Sequence, residues 1–255
     1  MKRNLLALFL ALALCLALAA CGGEDAPPAA DGSPAPSGSV PDVPPMDEPS
    51  GPQYELGYVG NRLYTSSIGT VWSQTIIEVV NTGDVNLYLG SAGYDLEDES
   101  GALVAAKSYV SAYPDVLTPG ETGLVYDDTI IDNVTADMAL TVIPHVDVEA
   151  ATVEKFSLPI SDFSLSMDRY NRLSALGRVE NNTGADLENK MIYIVAALYD
   201  SEGKPIGLMM NILMDPIKAG EKIGFELSGG ALPGDVTPEA VAEYVLYAYP
   251  SQMQF

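Results

Sequence analysis

From Tyr54 onward the hydrophobic positions come in short runs rich in Val, Ile, Leu and Tyr, each cut off by a turn signal. Asn81-Thr82-Gly83-Asp84, Glu99-Ser100-Gly101, Asn182-Thr183-Gly184 and Glu202-Gly203 are such signals, because Gly and Asn accept a positive φ that other residues resist. No long 3.6-residue period runs through the region, so the pattern predicts an all-β fold. Residues 191–199 are nine apolar residues in a row, as in a strand covered on both faces. Asp200 ends that run, with its carboxylate set to accept bonds from turn amides near Glu202-Gly203, and Asp98 stands in the same relation to Gly101. Thr237-Pro238-Glu239 is the best helix start: a capping residue, proline at the first helical position, then an acid. It predicts a turn or two of helix before residues 244–249, which read as a strand.

The apolar pattern is also written twice. Val79-Val80-Asn81-Thr82-Gly83 returns as Val179-Glu180-Asn181-Asn182-Thr183-Gly184. Leu96-Glu97-Asp98-Glu99-Ser100-Gly101 returns as Leu198-Tyr199-Asp200-Ser201-Glu202-Gly203, and Pro119-Gly120-Glu121 as Ala219-Gly220-Glu221. The spacing stays near one hundred residues, with slips only at turns, as duplication of one unit requires. Units of this size and strand spacing predict two tandem immunoglobulin-like β-sandwiches, over residues 54–150 and 151–255.

The repeated motif resembles the FxLYD domain, a small β-sandwich module of bacterial surface proteins and lipoproteins. Its residues here are Leu198, Tyr199, Asp200, Gly203 and Gly220 in the second copy and Tyr94, Leu96, Asp98, Gly101 and Gly120 in the first. The second copy reads Ala196-Ala197-Leu198-Tyr199-Asp200, without the leading aromatic. The first reads Tyr94-Asp95-Leu96-Glu97-Asp98, with the aromatic but without the second tyrosine. The resemblance implies a fold and an address. It implies no catalytic residue and no cofactor.

Ahead of the β region stand two segments of other character. Met1-Lys2-Arg3-Asn4 is positive, and residues 5–20 are an unbroken apolar run. Sixteen residues make roughly 24 Å of helix, short of a hydrocarbon core of about 30 Å. A signal peptide over residues 1–20 fits better than a membrane span. It ends Leu18-Ala19-Ala20-Cys21, which resembles the bacterial lipobox. The resemblance implies cleavage before Cys21 and a diacylglycerol thioether on its sulfur. Cys15 is lost with the leader, which leaves Cys21 no partner within the mature chain. Two or more acyl chains hold a protein to a bilayer where one is marginal, so the expected location is the extracytoplasmic face of the cell membrane. Residues 21–53 then carry nine of the 18 prolines, six acids and no base. That composition cannot bury a core and predicts an extended, acidic, polyproline-like stalk.

Charge sharpens the exclusions. The chain has 35 acids and 12 bases, a net charge of −23. Removing Lys2 and Arg3 with the leader leaves 35 acids against ten bases, or −25. Nucleic acid is excluded, since binding needs a basic face to displace counterions. One histidine and two cysteines cannot form a Cys₄, Cys₂His₂ or two-His metal centre. The acids divide unevenly: −13 over residues 54–150 and −6 over residues 151–255.

The remaining candidate chemistry is sparse. His145 has no Gly-x-Ser-x-Gly elbow to serve. Asp95, Glu97, Asp98 and Glu99, with Asp127 and Asp128, are the acids a calcium ion would use. They lack the spacing of a calcium loop and read equally as a solvated face. Arg169, Arg172 and Arg178 surround a hairpin at Asp168-Arg169-Tyr170-Asn171; they offer a basic patch to an acidic partner or bridge their own surface. Trp72 and the 14 tyrosines raise stacking on carbohydrate, against ordinary sheet packing. The expected role is non-catalytic binding or scaffolding at the envelope, with a protein or polymer partner. Capture of a glycan or solute is the alternative, and an accessory envelope enzyme a weaker one. A cleft between the sandwiches lined by Trp72 or tyrosines is the feature that favours capture.

Overall fold

Fourteen strands and no helix make up the regular structure of the described residues, 51–188, 190–229 and 232–250 of a computed structural model. The leader, Cys21 and the stalk up to residue 50 lie outside them. Eight strands come first: β1 (Tyr54–Thr65), β2 (Val71–Asn81), β3 (Leu87–Glu97), β4 (Leu103–Ser108), β5 (Ala112–Tyr113), β6 (Val116–Leu117), β7 (Thr122–Ile130) and β8 (Thr141–Ala150). Six follow: β9 (Ile160–Met167), β10 (Leu173–Glu180), β11 (Ile192–Tyr199), β12 (Pro205–Leu213), β13 (Lys222–Ser228) and β14 (Glu243–Pro250). The fold is all-β, as the apolar pattern predicts.

The two sets of strands pair in the same way, always antiparallel. In the first half β1-β2-β7-β5 forms one sheet, and β3 forms the other with β8 along one edge and β4 and β6 sharing the opposite edge. In the second half β9-β10-β13 and β12-β11-β14 repeat the plan. Each half has its own core: Ile77, Val79, Leu87, Tyr94, Leu96 and Val125 in the first, Leu173, Ile192, Ile194, Leu198, Met209 and Leu227 in the second.

A third apolar layer lies between the halves, because successive side chains of a strand face opposite ways. On β11, Ile192, Ile194, Ala196 and Leu198 enter the second core, while Val195 and Ala197 join Ile76 and Leu124 of the first half. That explains the nine-residue apolar run: β11 is covered on both faces. β2 and β7 divide likewise, with Ile77 and Val125 toward the first core and Ile76 and Leu124 toward the second half. The Tyr247 hydroxyl donates to the Thr122 carbonyl at 2.9 Å across this layer, and the Lys204 ammonium lies 5.5 Å from the Tyr58 ring centre. The result is four sheets stacked on three apolar layers within one compact unit.

Asn81 and Asn181 repeat the same bonds. Asn81 Nδ2 donates to the carbonyls of Val85 (2.8 Å) and Leu117 (3.0 Å), and Asn181 Nδ2 to those of Ala185 (2.7 Å) and Ile217 (2.8 Å). Each fully buried amide thereby ties its own turn to a carbonyl buried 36 residues further along the chain. The helix expected at Thr237 does not form. The Ala240 and Val241 amides both donate to the Thr237 carbonyl, making one turn, and β14 begins at Glu243 because residues 243–250 are held in register by β11.

Candidate functional site

Two hairpin tips, one from each half, form facing walls of a cleft. The β1–β2 tip closes by the Ser66 amide donating to the Thr70 carbonyl (2.8 Å) and the Gly69 amide to the Ser66 carbonyl (2.9 Å), with Gly69 at φ 82°. That leaves Ile68 at the tip, 85% exposed. The β9–β10 tip is organised by Asp168. Its Oδ1 accepts from the amides of Tyr170 (2.7 Å) and Arg172 (2.9 Å), and its Oδ2 from Arg172 Nε (2.9 Å). Hydrogen bonds from Arg172 first, and its charge, hold the Asp168 carboxyl below the usual carboxylate range. The third wall is the β13–β14 connection, tied to β1 by Arg62, which meets both carboxylate oxygens of Asp235 at 2.5 Å.

The cleft has a volume of about 570 Å³, and Tyr64, Ile68, Trp72, Tyr170, Arg172 and Leu232 are among its lining residues. Volumes of this order accommodate small molecules or a short polymer segment. Tyr170 is 61% exposed, with the guanidinium groups of Arg169 and Arg172 at 4.7 and 5.1 Å from its ring centre. Tyr64 is held from below: its hydroxyl donates to Asp128 Oδ1 at 2.8 Å. Gln74 Nε2 donates to the Tyr126 hydroxyl at 3.2 Å, and that hydroxyl lies 3.4 Å from Asp128 Oδ2. Burial pushes the Asp128 carboxyl up to about 6, against the opposing effect of the two tyrosine hydroxyls. Aromatic faces, a guanidinium and serine and threonine hydroxyls meet here. Such a surface stacks on a ring or a sugar face and bonds its hydroxyls.

The sequence motif lies elsewhere and is structural. Asp98 Oδ1 accepts from the amides of Ser100 (2.8 Å) and Ala102 (3.0 Å); Asp200 Oδ1 accepts from Glu202 (2.9 Å) and Lys204 (3.0 Å). Both therefore cap their turns. Gly101 and Gly203 sit at φ 79° and 75° in those turns, and Gly120 and Gly220 repeat the pair of angles where their amides donate to the Asn81 and Asn181 carbonyls. Leu96 and Leu198 are buried in their respective cores, and Tyr94 is wholly buried with its hydroxyl 2.6 Å from Asp127 Oδ2. Tyr199 belongs to the layer between halves.

Of the acids weighed for calcium, Asp95, Asp98, Asp127 and Asp128 have protein partners. Asp127 meets Tyr94 and Asp128 meets Tyr64 on opposite faces of β7, while Asp95 Oδ2 lies 3.0 Å from His145 Nε2. Among the described residues no three His, Cys, Asp or Glu side chains are grouped as a metal would need. The arginine cluster bridges its own surface in part, Arg172 to Asp168 at 2.8 Å and Arg178 to Asp162 at 3.6 Å. Sequence reasoning singled out Trp72, Tyr170 and Arg172 separately and missed Tyr64, Ile68 and the β13–β14 wall. Hairpin tips of two repeated units were the one signal that joined them. Compared with known proteins, the chain matches no family model and no curated protein.

Proposed function

We propose that this protein is a lipid-anchored envelope protein that binds a glycan-bearing ligand non-catalytically in the Trp72 cleft. The observation that carries the reading is the cleft itself, where Trp72, Tyr64, Tyr170 and Arg172 come together from two halves. The anchor is Cys21, acylated after removal of residues 1–20, and the acidic stalk over residues 21–53 holds the binding part off the bilayer. Each half is an FxLYD-like module of immunoglobulin-like build, a reading supported by the matched strand pairing and the repeated turn motifs. The charge of −25 on the mature chain favours a neutral or cationic stretch of polymer over an anionic one.

Co-sedimentation with insoluble envelope polymer tests the ligand. Trp72→Ala combined with Tyr170→Ala is expected to lower the bound fraction about tenfold, the effect of removing two aromatic contacts. Undiminished sedimentation of the double variant overturns the cleft as the site. For the anchor, Cys21→Ser is expected to move the protein from the membrane to the soluble fraction; continued membrane retention overturns lipidation. A protein partner is the second reading, favoured by Ile68 and Tyr170 standing exposed on the cleft rim.

A further inference from the structure

A second cavity, of about 470 Å³, opens where residues 109–115 of the first half meet β11 and β14 of the second. It shares no lining residue with the Trp72 cleft. Its wall holds Tyr88, Tyr109, Tyr113, Tyr193 and Tyr249 together with Asp115. Tyr193 and Tyr249 face each other on the β11–β14 ladder, their rings stacked 5.5 Å apart at 14°. Tyr113 tilts against Tyr193 at 6.4 Å.

Two features exceed what sheet packing asks for. Tyr109 is 90% exposed, yet its backbone is held in the left-handed region at φ 59°. A bulky side chain in that region is an outlier that burdens folding, and here the ring gains no burial from it. Asp115 is half-buried among the phenols. Its carboxylate accepts from its own amide and that of Val116, and burial raises it above the usual carboxylate range. Burial first, and then the Asp115 charge and the neighbouring phenols, push the Tyr193 and Tyr249 hydroxyls up. Among the described residues no Lys, Arg or His lines the cavity. The cation whose field reaches Asp115, Lys155, is ion-paired with Glu121 and lies 5.9 Å from the Tyr247 ring centre.

We propose that this cavity binds an organic ammonium cation, methylated or quaternary, between the tyrosine faces and the Asp115 carboxylate. Aromatic faces attract cations through the ring quadrupole, most strongly when the cation is desolvated. The methyl groups of such a cation suit an aromatic wall, and its charge compensates the half-buried carboxylate, which a neutral ligand leaves uncompensated. Anions are repelled. A hard metal ion is disfavoured because it takes six to eight oxygens, against one carboxylate here. The charge of −13 on the first half raises the local concentration of cations.

Calorimetric titration of the full-length protein tests the proposal with choline as the probe and 3,3-dimethylbutan-1-ol as its uncharged isostere. Choline is expected to bind saturably, and the isostere about tenfold more weakly or not at all. Asp115→Asn and Tyr109→Ala are each expected to weaken choline several-fold, with Trp72→Ala leaving it unchanged. Tyr109 is exposed, so its variant remains informative if Asp115→Asn fails to fold. No saturation at millimolar choline overturns the site. Equal binding of the isostere overturns it too, as does unchanged affinity in the Tyr109 variant. Failure of the Trp72 cleft to bind polymer leaves these outcomes as they are, so the two readings fall separately.

Discussion

In the first half, Asn61 donates to Thr75, Thr75 to Tyr94 and Tyr94 to Asp127, a relay of hydroxyls beside the core. At the corresponding positions of the second half stand Ala175, Ala196 and Leu227, all fully buried. A few residues along, the cross-strand pair Ile77 and Val125 of the first half becomes Gly177 and Phe225 in the second. The Phe225 ring lies so close over Gly177 that a Cβ there would stand 2.4 Å from it. The Asn81 and Asn181 bonds, by contrast, agree partner for partner. Two units with one strand plan can thus differ in core side chains by compensating groups, large for small and polar for apolar, while the buried amide that ties the turn to a distant carbonyl stays fixed. A core position has many fillings of equal volume; a buried carbonyl has few alternatives to a donor in the right place.

The most severe way to break this comparison is Tyr94→Ala, which opens a cavity and strips Asp127 of its partner. It is expected to cost about 3–5 kcal/mol in urea unfolding. Thr75→Ala, Tyr94→Ala and Asp127→Leu together copy the second half. The triple variant is expected to lose at least about 1 kcal/mol less than the three single losses combined. Simple additivity would show that the groups are not matched.

Asn81→Ala and Asn181→Ala come next. Each removes the two hydrogen bonds of a fully buried amide, at an expected cost of about 2–4 kcal/mol by thermal or urea unfolding. The two losses should agree within about 1 kcal/mol. A silent variant in either half would end the claim that both depend on the same bonds. Gly177→Ala forces Phe225 aside and is expected to cost about 1–3 kcal/mol. Ile77→Val at the matching position should cost about 0.5–1.5 kcal/mol.

The smallest effect is electrostatic. Asp128 has no acidic counterpart, since Ser228 stands in its place. Burial first among the causes raises its carboxyl from 3.8 to about 6. The folded protein therefore holds this proton more tightly than the unfolded chain does. Its contribution is fully present below about pH 4 and is lost as pH rises through about 6. Discounted for partial exposure, the loss is about 1–2 kcal/mol. Asp128→Asn should flatten that part of the stability–pH curve, and an unchanged slope would relieve Asp128 of the role.

Much of the architecture was legible from local pattern. Turn residues at Asn81, Asp98, Asn181 and Asp200 marked the repeated strand plan, and the apolar run at residues 191–199 foretold a strand covered twice. What covers it was not legible, because β2 and β7 lie more than 60 residues away and their apolar faces read like ordinary core. Asp127-Asp128 looked like one acidic cluster, yet strand alternation sends neighbours to opposite faces, where each meets a tyrosine. The helix signal at Thr237 was locally sound and was overruled by the β11–β14 ladder. The cleft was legible only as scattered parts, since Trp72 and Tyr170 are brought together by the stacking of the halves.

Trp72 is the sole tryptophan and lines the cleft, so its emission reports on the site without a label. Titration with soluble envelope glycan fragments is expected to change that emission saturably, with the change lost in Tyr170→Ala. Emission that stays constant while the fragments bind the protein, or a saturable change that survives in Tyr170→Ala, would contradict the assignment of binding to the cleft.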